Sequence, residues 1–248
     1  DMAAVAESMR KTTQGDLTVQ ADLHGHDEIS EMARSLDQMV YKLSAMVADI
    51  RSNAALVAHA QAWPDATIVA PQLLESSGER PLNYSWPRDD WEPRTGGAEG
   101  PLNVGYACAA VMLLNMQQLA HTGAFDPRFF LYYEDEDLCM RVFQRHGQIL
   151  VLPGIEVTHL SRGSVKGSAP WRAEFWRGFH HAQSKIIFLD KHAGRAAANR
   201  ARFRLMASSC ANVLVRTVLL SPKHLARAWG RLRGVWQLRL GSAPVSPL

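Results

Sequence analysis

Cysteines and long apolar runs are both scarce in this chain. Among its 248 residues there are three cysteines, Cys108, Cys139 and Cys210, with no C-x-x-C pair and no metal-binding spacing. This excludes a disulfide framework and a zinc module and favours a reduced, intracellular setting. No run reaches the roughly 20 apolar residues that span a bilayer, and no secretory signal opens the sequence. Because it opens on Asp1 rather than Met, we expect a piece of a longer protein.

Acidic residues are absent after Asp190. Residues 191–248 hold eleven Lys and Arg and no Asp or Glu, whereas residues 1–60 and 61–190 each carry a net charge of −4. Trp229 and Trp236 lie among the leucines and arginines of residues 225–240, a pattern typical of helices in an anionic membrane interface. Nucleic acid is the alternative partner for a basic stretch. Tryptophan among leucines favours lipid, so we predict an anionic membrane surface and no nucleic acid.

A 3.5-residue apolar repeat runs through the first quarter of the chain. Steps of three and four alternate over four heptads, which predicts a left-handed coiled coil, with polar Asn53 in one core slot setting register or oligomer state. The apolar positions are Ile29, Met32, Leu36, Met39, Leu43, Met46, Ile50 and Val57.

Upstream of this repeat, the apolar positions of a shorter predicted helix end before Gly15-Asp16-Leu17, and Asp27-Glu28 opens the long helix. Together these features resemble the HAMP linker of bacterial chemoreceptors and sensor kinases. The resemblance implies a parallel homodimer that relays a membrane signal by changing helix packing. A generic dimerising coiled coil is the alternative. Neither reading places a catalytic group in residues 1–60.

Near Gln61 the heptads stop. Residues 67–70 predict a short strand closed by Pro71, and residues 80–104, rich in Pro, Gly, Trp and Arg, predict a long surface loop. Residues 137–146 predict a helix with Leu138, Val142 and Phe143 inward and Gly147 as its end cap. Residues 149–152 then predict a strand closed by Pro153.

Four acids, Glu134 to Asp137, follow an aromatic stretch at the start of this helix. Repulsion between carboxylates and burial against Phe and Tyr both raise a carboxyl pKa toward that of a general base. The positive end of the helix dipole acts oppositely on whichever acid caps the helix. A solvated acidic helix cap is the competing interpretation, and the residue chemistry alone does not decide between the two.

A longer ordered pattern surrounds these acids and resembles rhamnosyltransferase-like family-2 glycosyltransferases. The motif G-x-F-D-x-x-F-F-x-Y-x-E-D-x-D-L-x-x-R runs from Gly123 to Arg141, and Pro153, Val157 and His159 follow. The resemblance implies an α/β fold of partial GT-A type with an incomplete Rossmann-like sheet. It makes Asp135 the catalytic base and Glu134 its acidic neighbour. It also makes Tyr133, Asp137 and Arg141 substrate-binding residues, with Arg141 paired to Asp137, and places His159 near a metal.

The family's nucleotide-binding first half, which ends in a D-x-D metal motif, is not found in this sequence. The only D-x-D is Asp135-Glu136-Asp137, which belongs to the base motif. We therefore expect a divalent cation, Mg or Mn, whose D-x-D ligands lie outside this chain, and no sugar transfer by the chain alone. Residues 55–66 fit both resemblances, so a natural fusion and a fusion artefact both remain open.

The sequence thus predicts three parts: a HAMP-like segment at 1–60, the second half of a glycosyltransferase domain at 61–190, and amphipathic membrane-interface helices at 191–248. The predicted function is an inverting transfer from a nucleotide-sugar to a cell-surface polysaccharide or lipid-linked acceptor. The alternatives are a chemoreceptor-like signal-transduction protein and a non-catalytic dimeric scaffold. The predicted location is peripheral, at the cytoplasmic face of the bacterial inner membrane.

Overall fold

A computed structural model describes residues 2–21, 28–75, 77–85, 97–159 and 170–240. Residues 86–96 of the predicted surface loop lie outside the described residues. Within the described residues, no helix combines the length and apolarity needed to cross a bilayer. The elements are α1 (Met2–Thr13), α2 (Glu28–Ala60), β1 (Ala66–Leu74), β2 (Tyr84–Ser85), β3 (Leu102–Asn103), β4 (Tyr106–Ala107), β5 (Leu113–Leu114), α3 (Met116–Leu119), α4 (Glu134–Gln144), β6 (Gln148–Thr158), α5 (Pro170–Val218) and α6 (Pro222–Gln237).

The two N-terminal helices share a small apolar core. Val5 of α1 packs with Ala33, Leu36 and Val40 of α2 and with Ala21 of the connector. Most described positions of the predicted coiled-coil repeat lie outside this core and are exposed, among them Met32, Met39, Leu43, Ile50 and Val57. In a coiled coil, a second helix covers an apolar stripe of this kind. The stripe on α2 offers such a surface to the predicted homodimer, which stays a prediction.

The far end of α2 belongs to a different core. Leu56 is buried with Val69 and Leu150 of the sheet, and Ala55 and Ala60 pack at the margin of the same cluster. The last turns of α2 therefore cover the sheet, although the predicted boundary between the first two parts lies at 60–61. One uninterrupted helix contributes to the N-terminal core at one end and to the sheet at the other.

The sheet is mixed, with strand order β3-β6-β1-β5. Strands β1 and β6 are parallel, while β5 pairs antiparallel with β1 and β3 antiparallel with β6. Helix α4 packs on the face where Ile68, Ile149 and Leu138 are buried. A mixed sheet flanked by helices confirms the α/β class.

Both strands predicted to stop at proline run through it. Pro71 pairs with Leu152, but the next pair is Gln72 with Glu156, so residues 153–155 form a bulge in β6. A bulge accepts proline because its residues need not donate to the neighbouring strand. Asn83 bonds the backbone beside the break, its Nδ2 donating to the Pro71 carbonyl oxygen at 3.0 Å. The predicted ends at Pro71 and Pro153 were wrong for this reason.

Helix α4 also ends differently from the prediction. The left-handed conformation expected of the predicted cap, Gly147, is adopted instead by His146, whose φ is 59°. Glycine is needed at position 147 for a steric reason, because a Cβ there would lie 2.8 Å from Cγ1 of Val142. Leu138 and Val142 are buried as predicted, whereas Phe143 is exposed.

The C-terminal helices form a bundle. Helix α5 is broken at Gly194, where φ is 82°, so it comprises two segments that meet close to the predicted boundary at 190–191. Phe175 faces Gly230 and Phe179 faces Gly234, which makes α6 run parallel to the first segment of α5. The second segment must therefore return toward the start of the first. It brings the α5–α6 turn to the same end of the bundle as Trp171.

Candidate active site

Two consecutive tyrosines turn the chain into α4. Tyr132 and Tyr133 have φ of 68° and 65°, a region that non-glycine residues rarely occupy and that costs energy. The turn is braced by α5, because the Ser184 hydroxyl donates to the Leu131 carbonyl oxygen at 2.9 Å. Both tyrosine rings also meet His181 edge-on at 5.6 Å between centroids. This strained turn sets where the four acids begin.

Asp135, the predicted base, is held by hydrogen bonds at the first turn of α4. Its Oδ2 accepts from the Tyr106 hydroxyl at 2.9 Å and from the Ala109 N–H at 3.2 Å, and its Oδ1 accepts from the Glu136 N–H at 2.9 Å. A carboxylate has about four lone-pair positions. Bonds from the described residues use three of these positions, which leaves one for a ligand. Burial, and then the Asp135 charge, raises the pKa of Tyr106, which keeps this phenol a hydrogen-bond donor.

Glu134, the predicted acidic neighbour, is partly buried at the start of α4. Burial raises the pKa of its carboxyl group, the adjacent Asp135 charge adds to this effect, and its own backbone N–H opposes it. Its Oε2 is buried without a hydrogen-bond partner in the described part of the chain. The increase in carboxyl pKa expected from the sequence is thus found at Glu134.

A pocket of about 720 Å³ opens over these acids. Its wall combines residues from β4, the tyrosine turn, α4, the end of β6 and the first segment of α5. The lining residues are Tyr106, Cys108, Ala109, Ala110, Leu131, Tyr132, Tyr133, Glu134, Asp135, Glu136, His159, Ala173, Trp176, Arg177 and His181. The structure therefore brings four of the six predicted site residues, Tyr133, Glu134, Asp135 and His159, into one cavity.

Asp137 and Arg141 do not line this pocket. Asp137 has no exposed surface, and its carboxylate bonds Arg141, Lys191 and His192 at 2.8–2.9 Å. The Arg141 guanidinium also donates to the carbonyl oxygens of residues 122–124. Their predicted pairing is present, but their assignment as substrate-binding residues disagrees with this placement. They join α4 to α5 and to the preceding loop behind the site.

His159 reaches the rim of the pocket just after β6, its backbone N–H donating to the Leu74 carbonyl oxygen at 2.7 Å. The described residues contain no group of three His, Cys, Asp or Glu side chains arranged to hold a metal ion. The residues present therefore do not make a metal site by themselves, and the expected Mg or Mn stays a prediction.

Several pocket residues were not predicted from the sequence as site residues. Trp176, Arg177 and His181 come from α5, in a part of the sequence where no site residue was predicted. Tyr106 begins an apolar run and gave no functional signal. The adjacent histidines His180 and His181 were the one sequence signal that pointed to this helix. Adjacent residues face different sides of a helix, and only His181 lines the pocket.

A second cavity, of about 870 Å³, lies away from the acids beside the β6 bulge. It is lined by Gln72, Arg80, Pro153 and Glu156 among others, and Arg80 and Glu156 form an ion pair there. None of the predicted site residues lines it. The acidic pocket is therefore the better candidate for chemistry.

Comparison with known proteins supports both resemblances. Residues 2–45 match the family model of the HAMP domain. Over 129 residues the chain is 29% identical to the N-acetylglucosaminyl-diphospho-decaprenol L-rhamnosyltransferase of Mycobacterium tuberculosis, in the CDC 1551 and H37Rv strains. The match covers 50% of this chain and 40% of the relative, and no solved structure matches significantly. The chain thus has a HAMP domain at its N-terminus and is similar over half its length to a family-2 rhamnosyltransferase.

Proposed function

We propose that residues 61–190 form the acceptor side of an inverting glycosyltransferase of GT-A type, with Asp135 as the general base. The observation that carries the proposal is the Asp135 carboxylate, fixed by Tyr106 and Ala109 at the base of a pocket with one lone-pair position unused. In a single displacement, Asp135 takes the proton of the acceptor hydroxyl while that oxygen attacks the anomeric carbon of a nucleotide-sugar. The nucleotide diphosphate leaves from the opposite face.

A lipid-linked acceptor fits the surroundings of the pocket. The relative's name describes a sugar-diphospho-polyprenol acceptor, and here Arg177 contributes a guanidinium to the pocket wall. Arg177 is held only loosely by Glu174, at 3.4 Å, while Glu174 pairs more closely with Arg227, at 2.6 Å. An arginine in such a position matches the charge and geometry of a phosphate.

The bundle offers a membrane-facing tip near the pocket. The α5–α6 turn exposes Leu214, Val215, Val218, Leu219 and Leu220, with Val218 81% and Leu220 87% exposed. The direction of α6 brings this tip to the end of α5 that carries Trp171 and, about a turn further, pocket-lining Trp176. Residues 191–248 add eleven positive charges and no negative ones. We infer a peripheral position on an anionic bilayer, at the cytoplasmic face, with the acceptor pocket close to the lipid surface.

The catalytic proposal is tested by supplying the donor side. The chain is joined to the nucleotide-binding half of the rhamnosyltransferase relative, and transfer from a radiolabelled nucleotide-sugar is measured. We expect Asp135→Asn to lower turnover by at least about 100-fold, the range for loss of a general base. Asp65→Asn, at an exposed loop position, is the matched control and should keep full activity. Full activity of the Asp135 variant would remove it as base. Turnover by the 248-residue chain alone would show that a separate donor half is not required.

The membrane proposal is tested by co-sedimentation with vesicles. Binding is expected to vesicles that contain phosphatidylglycerol, to weaken as salt increases, and to be weak to pure phosphatidylcholine. Leu214→Asp combined with Val218→Asp should lower binding, because two charges enter the apolar tip. Leu82→Asp, which changes an exposed leucine elsewhere, should bind as the parent chain does. Equal binding by all three proteins would exclude the tip as the membrane contact.

Signal transduction is the second candidate function, and the continuity of α2 favours it. A change in HAMP helix packing would move a helix that also contributes Leu56 to the sheet core. A disulfide formed between two copies through Met39→Cys tests this coupling, read out as amide hydrogen exchange in α4 and β6. Altered exchange in the crosslinked dimer is expected if the helix transmits a change. Identical exchange in reduced and oxidised protein would remove this candidate.

A further inference from the structure

Two residues of the pocket wall carry polar atoms that have no partner among the described residues. The Nδ1 of His181 and the Oε2 of Glu134 are both buried, and neither has a hydrogen-bond partner among the described residues. Both residues line the acidic pocket. Buried polar atoms are nearly always bonded, so two unpartnered atoms in one cavity indicate a place where a ligand supplies the partners.

The local environment disfavours the charged form of both groups. Burial lowers the pKa of His181, and the positive charges of Arg231, Lys185 and Arg227 lower it further. Burial raises the pKa of Glu134. A neutral imidazole donates or accepts at Nδ1 according to its tautomer, and a carboxyl group accepts in either form and donates when it is protonated. This combination suits a neutral hydroxyl group, which also donates and accepts, better than it suits a charged ligand.

The same pocket also presents an aromatic surface. Trp176 lies five residues before His181 on α5, lines the same pocket and is 44% exposed. One side of its ring stacks on His180, with 5.6 Å between centroids. An exposed indole beside hydroxyl-binding groups suits a sugar, whose apolar ring face packs on an aromatic ring while its hydroxyls bond neighbouring polar atoms.

We propose that His181, Glu134 and Trp176 form a sugar subsite that holds the acceptor next to Asp135. The acceptor ring packs on Trp176, and its hydroxyls bond Nδ1 of His181 and Oε2 of Glu134. This inference rests on the proposed glycosyltransferase function and names the part of the acceptor that the pocket recognises. His181 is then a positioning residue, contributed by a helix that lies outside the base motif.

The test measures sugar binding by the 248-residue chain without any donor. The probe is methyl N-acetyl-β-glucosaminide, followed by saturation-transfer NMR, with the Kd taken from a titration. His181→Phe keeps the aromatic contacts to Tyr132 and Tyr133 but removes Nδ1, and should weaken binding by about three- to tenfold. His224→Phe, the same change at an exposed position of α6, should leave Kd unchanged. Equal Kd values for the two variants would overturn the proposal.

A second pair of variants keeps the test decisive if His181→Phe does not fold. His181→Asn retains a polar atom near the position of Nδ1 and should bind the probe more tightly than His181→Leu, which retains none. Trp176→Leu should abolish detectable binding, whereas Trp236→Leu, at an exposed position of α6, should not. Identical binding by the Asn and Leu variants, or loss of binding in the Trp236 control alone, counts against the subsite.

Failure of the subsite and failure of the catalytic proposal give different results. If the chain binds the probe through His181 but the joined enzyme transfers no sugar, the result supports the sugar subsite and contradicts the catalytic proposal. If the joined enzyme transfers sugar and His181→Phe leaves the acceptor KM unchanged, the reaction stands and the subsite does not. A raised acceptor KM with little change in kcat is the expected result.

Discussion

Lys191 of α5 and Asp137 of α4 form a buried ion pair across 54 residues of sequence, with Nζ 2.8 Å from Oδ1. The same ammonium contacts Oδ2 of Asp126 at 2.6 Å. One lysine therefore joins the loop before the tyrosine turn, the helix that carries Asp135, and the helix that carries His181. The position of the candidate base depends on this connection.

Asp137→Asn should destabilise the chain by about 3–5 kcal/mol at pH 7, as measured by urea unfolding, because it leaves buried cations without their partner. Burial tends to raise the pKa of Asp137, but the bonds from His192, Lys191 and Arg141 outweigh burial and lower it. This stabilisation is therefore complete above the ordinary carboxyl pKa of about 3.9 and is lost as pH falls through the lowered value. Asp65→Asn, with the same charge change at the surface, should stay within about 0.5 kcal/mol of the parent. A similar result for both would contradict the role of the network.

Glu134→Gln should stabilise the chain at neutral pH. The pKa of Glu134 is raised, so the folded state holds its proton more tightly than the unfolded state does, and stability falls as pH rises past the ordinary glutamate value of about 4.3. Glutamine removes this cost while keeping a neutral polar group. Thermal unfolding at several pH values should give the variant a higher midpoint than the parent at pH 7 and the same midpoint near pH 4. A constant difference at every pH would show that protonation of Glu134 is not involved.

Gly230→Ala should disrupt the bundle, because a Cβ at this position would collide with the backbone of Phe175. Overpacking of this kind costs about 1–3 kcal/mol or more when the obstacle is backbone. Gly154→Ala is the control, since a Cβ there meets nothing within 4 Å. The thermal midpoint should fall for the first variant and change little for the second. An unchanged midpoint for Gly230→Ala would mean that α5 and α6 do not pack this closely.

Met39→Glu combined with Ile50→Glu should convert a dimer into a monomer, because both residues lie on the exposed apolar stripe of α2 and like charges would face each other in a parallel pair. Sedimentation velocity gives the molecular mass directly. The control is Tyr41→Glu, an exposed position outside the 3.5-residue repeat. Dimers that persist in the double variant would place the association elsewhere.

Local sequence patterns predicted the local elements well. Gly15-Asp16-Leu17 marked the end of α1, because helix ends depend on nearby residues, whereas α4 begins at Glu134, three residues before the predicted start at residue 137. The strand ends predicted at Pro71 and Pro153 were wrong. Whether a proline ends a strand depends on the partner strand, and here a bulge accommodates both prolines.

Contacts between residues far apart in the sequence could not be predicted from local patterns. Nothing near Asp137 indicates that Lys191 and His192 bond its carboxylate, and the resemblance alone suggested a substrate-binding role. His181 and Trp176 reach the pocket only because α5 folds back over the tyrosine turn. Pairings of this kind depend on topology, which a single sequence does not define.

The continuous helix α2 imposes a phase relation between its two ends. Val40 and Leu56 must both face inward, each toward its own core, although they lie about 24 Å apart along the helix at 1.5 Å per residue. Inserting one residue between them would rotate Leu56 by about 100° and turn it away from the sheet. Inserting a whole heptad would nearly restore its direction. The helix therefore determines the angular setting of the sheet relative to the N-terminal helices, and only insertions that preserve that angle are compatible with both cores.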